Sequence, residues 1–334
     1  MGRNTIIAGF AAFLAVALGG AAAQAADARH FSFAYDQPKT TAYGVVGDVF
    51  AAKLAELSKG TMVIDQFPGA QLGQEPQVLQ KLRTGDVDFS ICSTANSATL
   101  QPEAGVFSIH YVFRSEDHLV KALTDPGVSH AFLDMINSKV TGAHTLALAT
   151  MGFRDMYGKK EIHNVGDLNN VKVRVQATAT EDTMFPAYGA QTVHMPFGDV
   201  YTALQTGIVA MAENGINVYQ SNKHYEVAPI MSLTQHEANN NVIWVADKVW
   251  NSLNDEQKGW VQQTADYVAQ VEPGKALALE HDSMTKLQKM GVKFVDGVDK
   301  SGFIKDAEPI QDKLAKELGP GAVKVLTLVR AVKD

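Results

Sequence analysis

Apolar and polar positions alternate along this chain in two distinct rhythms. Residues 31–35, 61–67 and 87–92 form short apolar runs of strand length, the last ending in a polar turn from Ser93 to Asn96. Between them lie helical periodicities, an amphipathic one at 43–57 and a shorter one at 77–82. A second alternation begins near residue 150. It predicts a strand at 171–175, a helix at 180–188, and a helix at 200–206 ended by Gly207. A strand follows at 208–211, with polar Glu213-Asn214-Gly215 beyond it, and further strands are predicted at 231–234 and 241–245. From residue 255 to about 290 the pattern is helical for an unusual length, with a kink expected at Pro273-Gly274. Strands interleaved with helices argue for an α/β fold around a largely parallel sheet. Such sheets bind ligands beyond the carboxyl ends of their strands, where Tyr35-Asp36-Gln37 and the 93–96 turn fall.

The first 25 residues follow a different order. One charge, Arg3, precedes an apolar run at 6–18, and small residues lead to Ala23-Gln24-Ala25. This is the layout of a cleavable secretory leader, and the run is too short to span a bilayer. A chain released at Ala26 keeps about 309 residues, enough for two domains by the usual length scale. It carries 28 basic and 36 acidic side chains once Arg3 is removed. Such an acidic protein is poorly suited to nucleic acid or to an anionic lipid surface without a local basic patch, and Lys159-Lys160 is only a pair. Cys92 is the sole cysteine, so no intramolecular disulfide can form, and its apolar run predicts a buried, inert thiol.

The sequence holds no G-x-S-x-G elbow, Walker A loop, G-x-G-x-x-G turn or H-E-x-x-H helix. Its ten histidines lack metal-ligand spacing, and Asp86-Val87-Asp88 reads more simply as a turn into a strand than as a cation site. No metal and no cofactor is expected, and binding is favoured over catalysis. Three polar groups stand in apolar surroundings. Arg174 lies within Val171-Lys172-Val173-Arg174-Val175, sharing a strand face with Lys172, and Arg154 follows the apolar stretch 145–151. Asn214 ends the strand after Ala212-Glu213. Taken alone, each arginine is more commonly a surface ion-pair partner, and Asn214-Gly215 a frequent turn dipeptide.

The stretches KVRVQATATEDTMFPAYGAQ, MPFGDVYTALQTGIV and AENGINVYQSNKHYEVAPIMSLTQH, together spanning 171–236, carry a resemblance. With FPGAQLGQEPQVLQKLRTGDVDFSICST upstream, and GFRDMYGKK ahead of KVRVQ, the chain resembles the solute-binding proteins of tripartite ATP-independent periplasmic (TRAP) transporters. The resemblance implies a two-domain Venus-flytrap protein of the periplasm whose cleft captures a small organic anion. It implies delivery of that anion to membrane permease subunits driven by an ion gradient. The long kinked helix would back both domains: 26–150 plus 237–271, and 151–236 plus 272–334.

By the same resemblance Arg174 is the main ligand arginine and Arg154 a second one near the ligand. Asn214, with Glu213 beside it, and Phe197 of MPFGDVY complete the motif-borne positions. Gln37, Glu75, Asn96, His110 and Asn217 are further polar candidates, which favour a hydroxylated or sugar acid. A sulfonate, an aromatic acid or a compatible solute are the alternatives within the family, and an organic-acid enzyme the alternative outside it. Gly215 after Asn214, and Ile109-His110-Tyr111, depart from the common pattern and bear on which ligand fits. A monomer without membrane insertion is expected. Physically, a guanidinium presents a planar pair of N–H donors that matches a carboxylate and stays charged at any relevant pH.

Overall fold

The computed structural model describes Met1 and residues 28–333, so the expected leader and its cleavage site lie outside the described residues. Nine strands form one sheet: β1 (Arg29–Ala34), β2 (Met62–Phe67), β3 (Phe89–Ser93), β4 (Ala143–Gly158), β5 (Lys172–Val175), β6 (Gln191–His194), β7 (Met211–Asn214), β8 (Ile230–Ala246) and β9 (Lys293–Val295). Their order is β2-β1-β3-β8-β4-β7-β5-β6, with β9 added on β8.

The sheet is parallel only in its wings. β1 pairs parallel with β2 and β3, and β5 pairs parallel with β6 and β7. The centre, β3-β8-β4-β7, is antiparallel, which the expectation of a largely parallel sheet did not include. The reason is the length of β4 and β8, which run side by side from one wing to the other. The predicted strands at 231–234 and 241–245 are the two ends of β8. The residues between them, left unassigned by the sequence pattern, are strand residues too, and His236, Glu237, Asn239 and Asn240 among them are buried. The strand predicted at 208–211 is likewise displaced to Met211–Asn214, because Glu213 and Asn214 are buried polar strand residues.

One large core runs from the first wing to Val173, Val175 and Phe185 of the second, and a smaller one lies under the second wing alone. Phe31, Phe33, Phe50 and Phe89 meet under the first wing, with Phe50 ring centroids 5.5 and 5.4 Å from Phe33 and Phe89. Tyr157, Val200, Leu204, Tyr219, Met231 and Leu287 fill a separate cluster beneath the second. Cys92 is fully buried in the first core. The helix Asp255–Lys289 passes through Pro273 unbroken and contacts β4, the helix Ala42–Leu57 and the helix Ile216–Ser221, so it backs both wings. The last helix, Pro320–Ala331, lies against Pro126–Asn137 on the side of the first wing. Among the described residues no helix is long and apolar enough to cross a membrane.

Two glycines let the long helix come close to the sheet. Gly152 has φ +79°, and a Cβ there would lie 3.0 Å from Glu280 Cγ. A Cβ on Gly215 would lie 3.0 Å from the Met151 carbonyl oxygen. Glu280 uses this room to accept the backbone N–H groups of Ile216 (2.6 Å) and Asn217 (2.9 Å). It thereby satisfies the free donors at the start of the helix that follows Asn214.

Candidate functional site

A small polar cavity lies between the wings. Larger hollows on the outer faces, one under Pro126–Asn137 and one beside Lys159, Lys160 and Lys172, contain no buried arginine. β5 delivers Arg174 to the cavity: Val173 and Val175 point into the core while Arg174, on the other face, is 3% exposed. Lys172 shares that face but lies one pleat nearer the rim and is exposed. Arg174 donates from Nε (3.2 Å) and Nη2 (2.9 Å) to the Met195 carbonyl oxygen, and the Phe197 ring centroid lies 5.7 Å from its Cζ. Among the described residues nothing accepts from its Nη1. Burial lowers its pKa by penalising the charge, and Glu213 opposes the shift.

Arg154 lies in β4, whose 16-residue run extended beyond the apolar stretch that marked it in the sequence. It lines the cavity, but its fork is committed to Glu213: Nε pairs with Oε2 and Nη2 with Oε1 at 2.7 Å. Nη1 donates to Asn239 Oδ1 at 3.1 Å, and Glu237 Oε2 is 3.3 Å from Nε. Burial alone would raise the Glu213 carboxyl, yet Arg154 holds it at about 2. Burial first, then Glu213 for Glu181 and Glu181 for Glu237, pushes these two carboxyls up, so Glu213 is the ionised partner of Arg154. This pair is neutral overall. Arg174 is then the uncommitted positive charge of the cavity.

On the first wing, Glu75 accepts from Ser93 N (3.0 Å), Ser93 Oγ (2.6 Å) and Asn96 Nδ2 (2.7 Å). The single proton of the Tyr43 hydroxyl is shared between the other Glu75 oxygen (2.6 Å) and Asn241 Oδ1 (2.7 Å). Asp36 accepts from Gln37 Nε2 at Oδ1 (3.0 Å), while its Oδ2 receives no bond from another described residue. Burial first, and Glu75 next, raise its pKa, with Gln37 and Arg174 opposing. Asn214 Oδ1 accepts from Asn239 Nδ2 (2.9 Å) and Gly215 N (2.9 Å), which turns its Nδ2 out as a donor. Direct hydrogen bonds cross between the wings: Gln176 Nε2 to Ser93 Oγ (2.9 Å), Asn222 Nδ2 to Gln37 Oε1 (3.0 Å) and Thr40 Oγ1 to Ser221 Oγ (3.1 Å).

Arg174, Arg154, Asn214, Phe197, Glu75, Gln37 and Asn96 therefore surround one cavity. The other three candidates do not line it. Glu213 turns toward Arg154. Asn217 donates from Nδ2 to Ser283 Oγ at 3.0 Å, beside the long helix. His110 is fully buried behind the cleft, where its Nδ1 lies 3.0 Å from Tyr188 Oη and its ring packs on Phe185 and His236. Asp36, Tyr43, Gln176 and Asn239 line the cavity without having been candidates. Only Asp36 had a signal in the sequence, as a polar residue at the carboxyl end of a strand.

His110, His236 and Glu237 bring three possible metal-ligating atoms within 4.8 Å of one another. Arg154 already supplies positive charge beside Glu237, and burial drops the imidazole pKa values to about 3 for His110 and about 4 for His236. Both rings are therefore neutral members of the network behind Arg154.

The profile of bacterial extracellular solute-binding protein family 7 matches residues 33–318. The chain is 25% identical to the 2,3-diketo-L-gulonate-binding periplasmic protein YiaO of Escherichia coli over 98% of this chain and 96% of that one. A TRAP periplasmic solute-binding protein of Polaromonas sp. with bound D-erythronate superposes with a TM-score of 0.85 at 28% identity, covering 91% of this chain and 99% of its own. Another, from Pseudomonas putida with bound D-glucuronate, gives 0.84 at 28% identity, covering 92% and 98%. The fold is thus the two-domain periplasmic-binding-protein fold, and its family consists of solute-binding proteins rather than enzymes. The chain belongs to bacterial extracellular solute-binding protein family 7.

Proposed function

We propose that this protein is the periplasmic binding component of a TRAP transporter, that it captures a sugar-acid anion between its wings, and that it delivers the anion to membrane permease subunits. The observation that carries the reading is the free edge of Arg174, facing a cavity whose remaining polar groups are mostly acceptors. Arg174 Nη1 and Asn214 Nδ2 are donors for one carboxylate. Asp36 Oδ2, Asn96 Oδ1 and Gln176 Oε1 accept from no described neighbour's donor and suit hydroxyl groups. Sugar acids combine these two features, and the structural neighbours with D-glucuronate and D-erythronate support the class.

The two lobes are the β1–β3 wing with Pro320–Ala331 and the β5–β7 wing, joined by β4, β8 and the long helix. Ligand contacts to both favour closure, a population shift about a hinge. A thermal-shift screen against an organic-acid library tests the assignment, since a ligand at 100 times its dissociation constant adds about 2.7 kcal/mol of stability. Stabilisation by D-glucuronate, D-gluconate or D-erythronate is the expected result. A response confined to sulfonates, aromatic acids or compatible solutes would overturn it.

A further inference from the structure

We propose that Asp36 makes the cleft selective for acids with a single carboxylate, accepting hydroxyl donors and turning away a second carboxylate; this rests on the sugar-acid reading above. The argument begins with charge. Two arginines line the cavity, but Arg154 is neutralised by Glu213, so Arg174 can compensate one ligand charge. Two carboxyl groups also line it. Glu75 already accepts from Ser93 N, Ser93 Oγ and Asn96 Nδ2 at one oxygen and has the Tyr43 hydroxyl against the other, so it is largely occupied by the protein. Asp36 is different: it is 8% exposed, Gln37 occupies one oxygen, and the other faces the cavity unoccupied by any described neighbour.

A hydroxyl placed there gains a hydrogen bond to the open Asp36 oxygen. A second carboxylate placed there brings a charge that no second free cation among the described residues balances. It does so in a site of low dielectric, beside Glu75 and an Asp36 whose own ionisation burial and Glu75 already disfavour. Discrimination of this kind comes from an unfavourable pairing built against the competitor as much as from contacts with the favoured ligand. The neutral acceptors Gln176 and Asn96 extend the same preference for hydroxyl donors along the wall.

The test is calorimetry on full-length mature protein with matched mono- and diacids: D-gluconate against D-glucarate, and D-erythronate against meso-tartrate. Wild type is expected to bind the better monoacid at least about 100-fold more tightly than its diacid. Asp36→Asn replaces the ionisable carboxyl by an amide of nearly the same shape. It is expected to weaken the monoacid about tenfold and bring the pair to within about tenfold of each other. Asp36→Ser provides a second variant, and unchanged ligand-free melting temperatures show that both are folded. Equal wild-type affinity for monoacid and diacid, or an unchanged ratio in both variants, overturns the role of Asp36. Failure of wild type to bind any of the four acids or D-glucuronate instead overturns the sugar-acid reading.

Discussion

Arg154 and Glu213 grip each other in the floor of the cleft, Nη2 to Oε1 at 2.7 Å with a second contact from Nε, both side chains almost wholly buried. Two arginines face the same cavity, and this pairing gives them different tasks. Arg154 is part of the framework, while Arg174 keeps one edge without a partner among the described residues.

Glu213→Gln should therefore damage the empty protein. Removing one partner of a buried pair leaves the other charge uncompensated, at a cost of about 3–5 kcal/mol. Chemical denaturation without ligand is expected to show a loss of that size. A change below about 1 kcal/mol would mean that Glu237 or Glu181 takes over the pairing.

Glu280 bears on the site from a distance. It accepts the N–H groups of Ile216 and Asn217, fixing the segment that begins at Asn214 and Gly215. Glu280→Gln replaces one acceptor oxygen by a donor, so one buried N–H loses its partner at about 1–3 kcal/mol. The expected result is a lower melting temperature together with weaker binding, because Asn214 shifts with its loop. Weaker stability with unchanged affinity would separate Glu280 from the site.

Much of this site was legible in the sequence, and its blind spots have one cause. Arg174 and Asn214 stood out as polar residues among apolar strand residues, and Phe197 was identified through its motif. The same polarity hid the strands themselves. Glu213 and Asn214 were read as lying beyond β7, and 235–240 as a gap in β8, because a buried polar strand residue resembles a loop residue in one dimension. The commitment of Arg154 to Glu213, 59 residues apart, depends on strand pairing between β4 and β7 that no local pattern encodes. His110 and Asn217 misled for the converse reason: polar residues near the site bonded to scaffold atoms instead.

Glu272 offers a pH test. It is fully buried on the long helix, accepts from the Thr150 N–H at 3.0 Å, and burial raises its carboxyl to about 8. Its folded pKa exceeds its unfolded value, so the folded state holds the extra proton. The stabilising contribution is complete below about pH 4.5 and is lost as pH rises through 8. Glu272→Gln cannot titrate. Its stability relative to wild type should climb with pH across this window, by up to about 1.4 kcal/mol per unit. A difference independent of pH between 5 and 8 would show that Glu272 is ionised in the fold.

Arg174 carries the central claim, and the decisive measurement pairs ligand-free melting temperature with calorimetric affinity for wild type, Arg174→Lys and Arg174→Ala. A lysine keeps the charge but cannot reproduce the planar fork, so it should lose at least about tenfold in affinity, or about 1.4 kcal/mol. Alanine should lose more, because the ligand carboxylate would then be enclosed without a cation. Both variants should melt near the wild-type temperature when empty, since among the described residues Arg174 bonds one backbone carbonyl alone and an open cleft would leave it solvated. Lower melting temperatures with ligand affinity preserved would contradict the account and return Arg174 to a structural role.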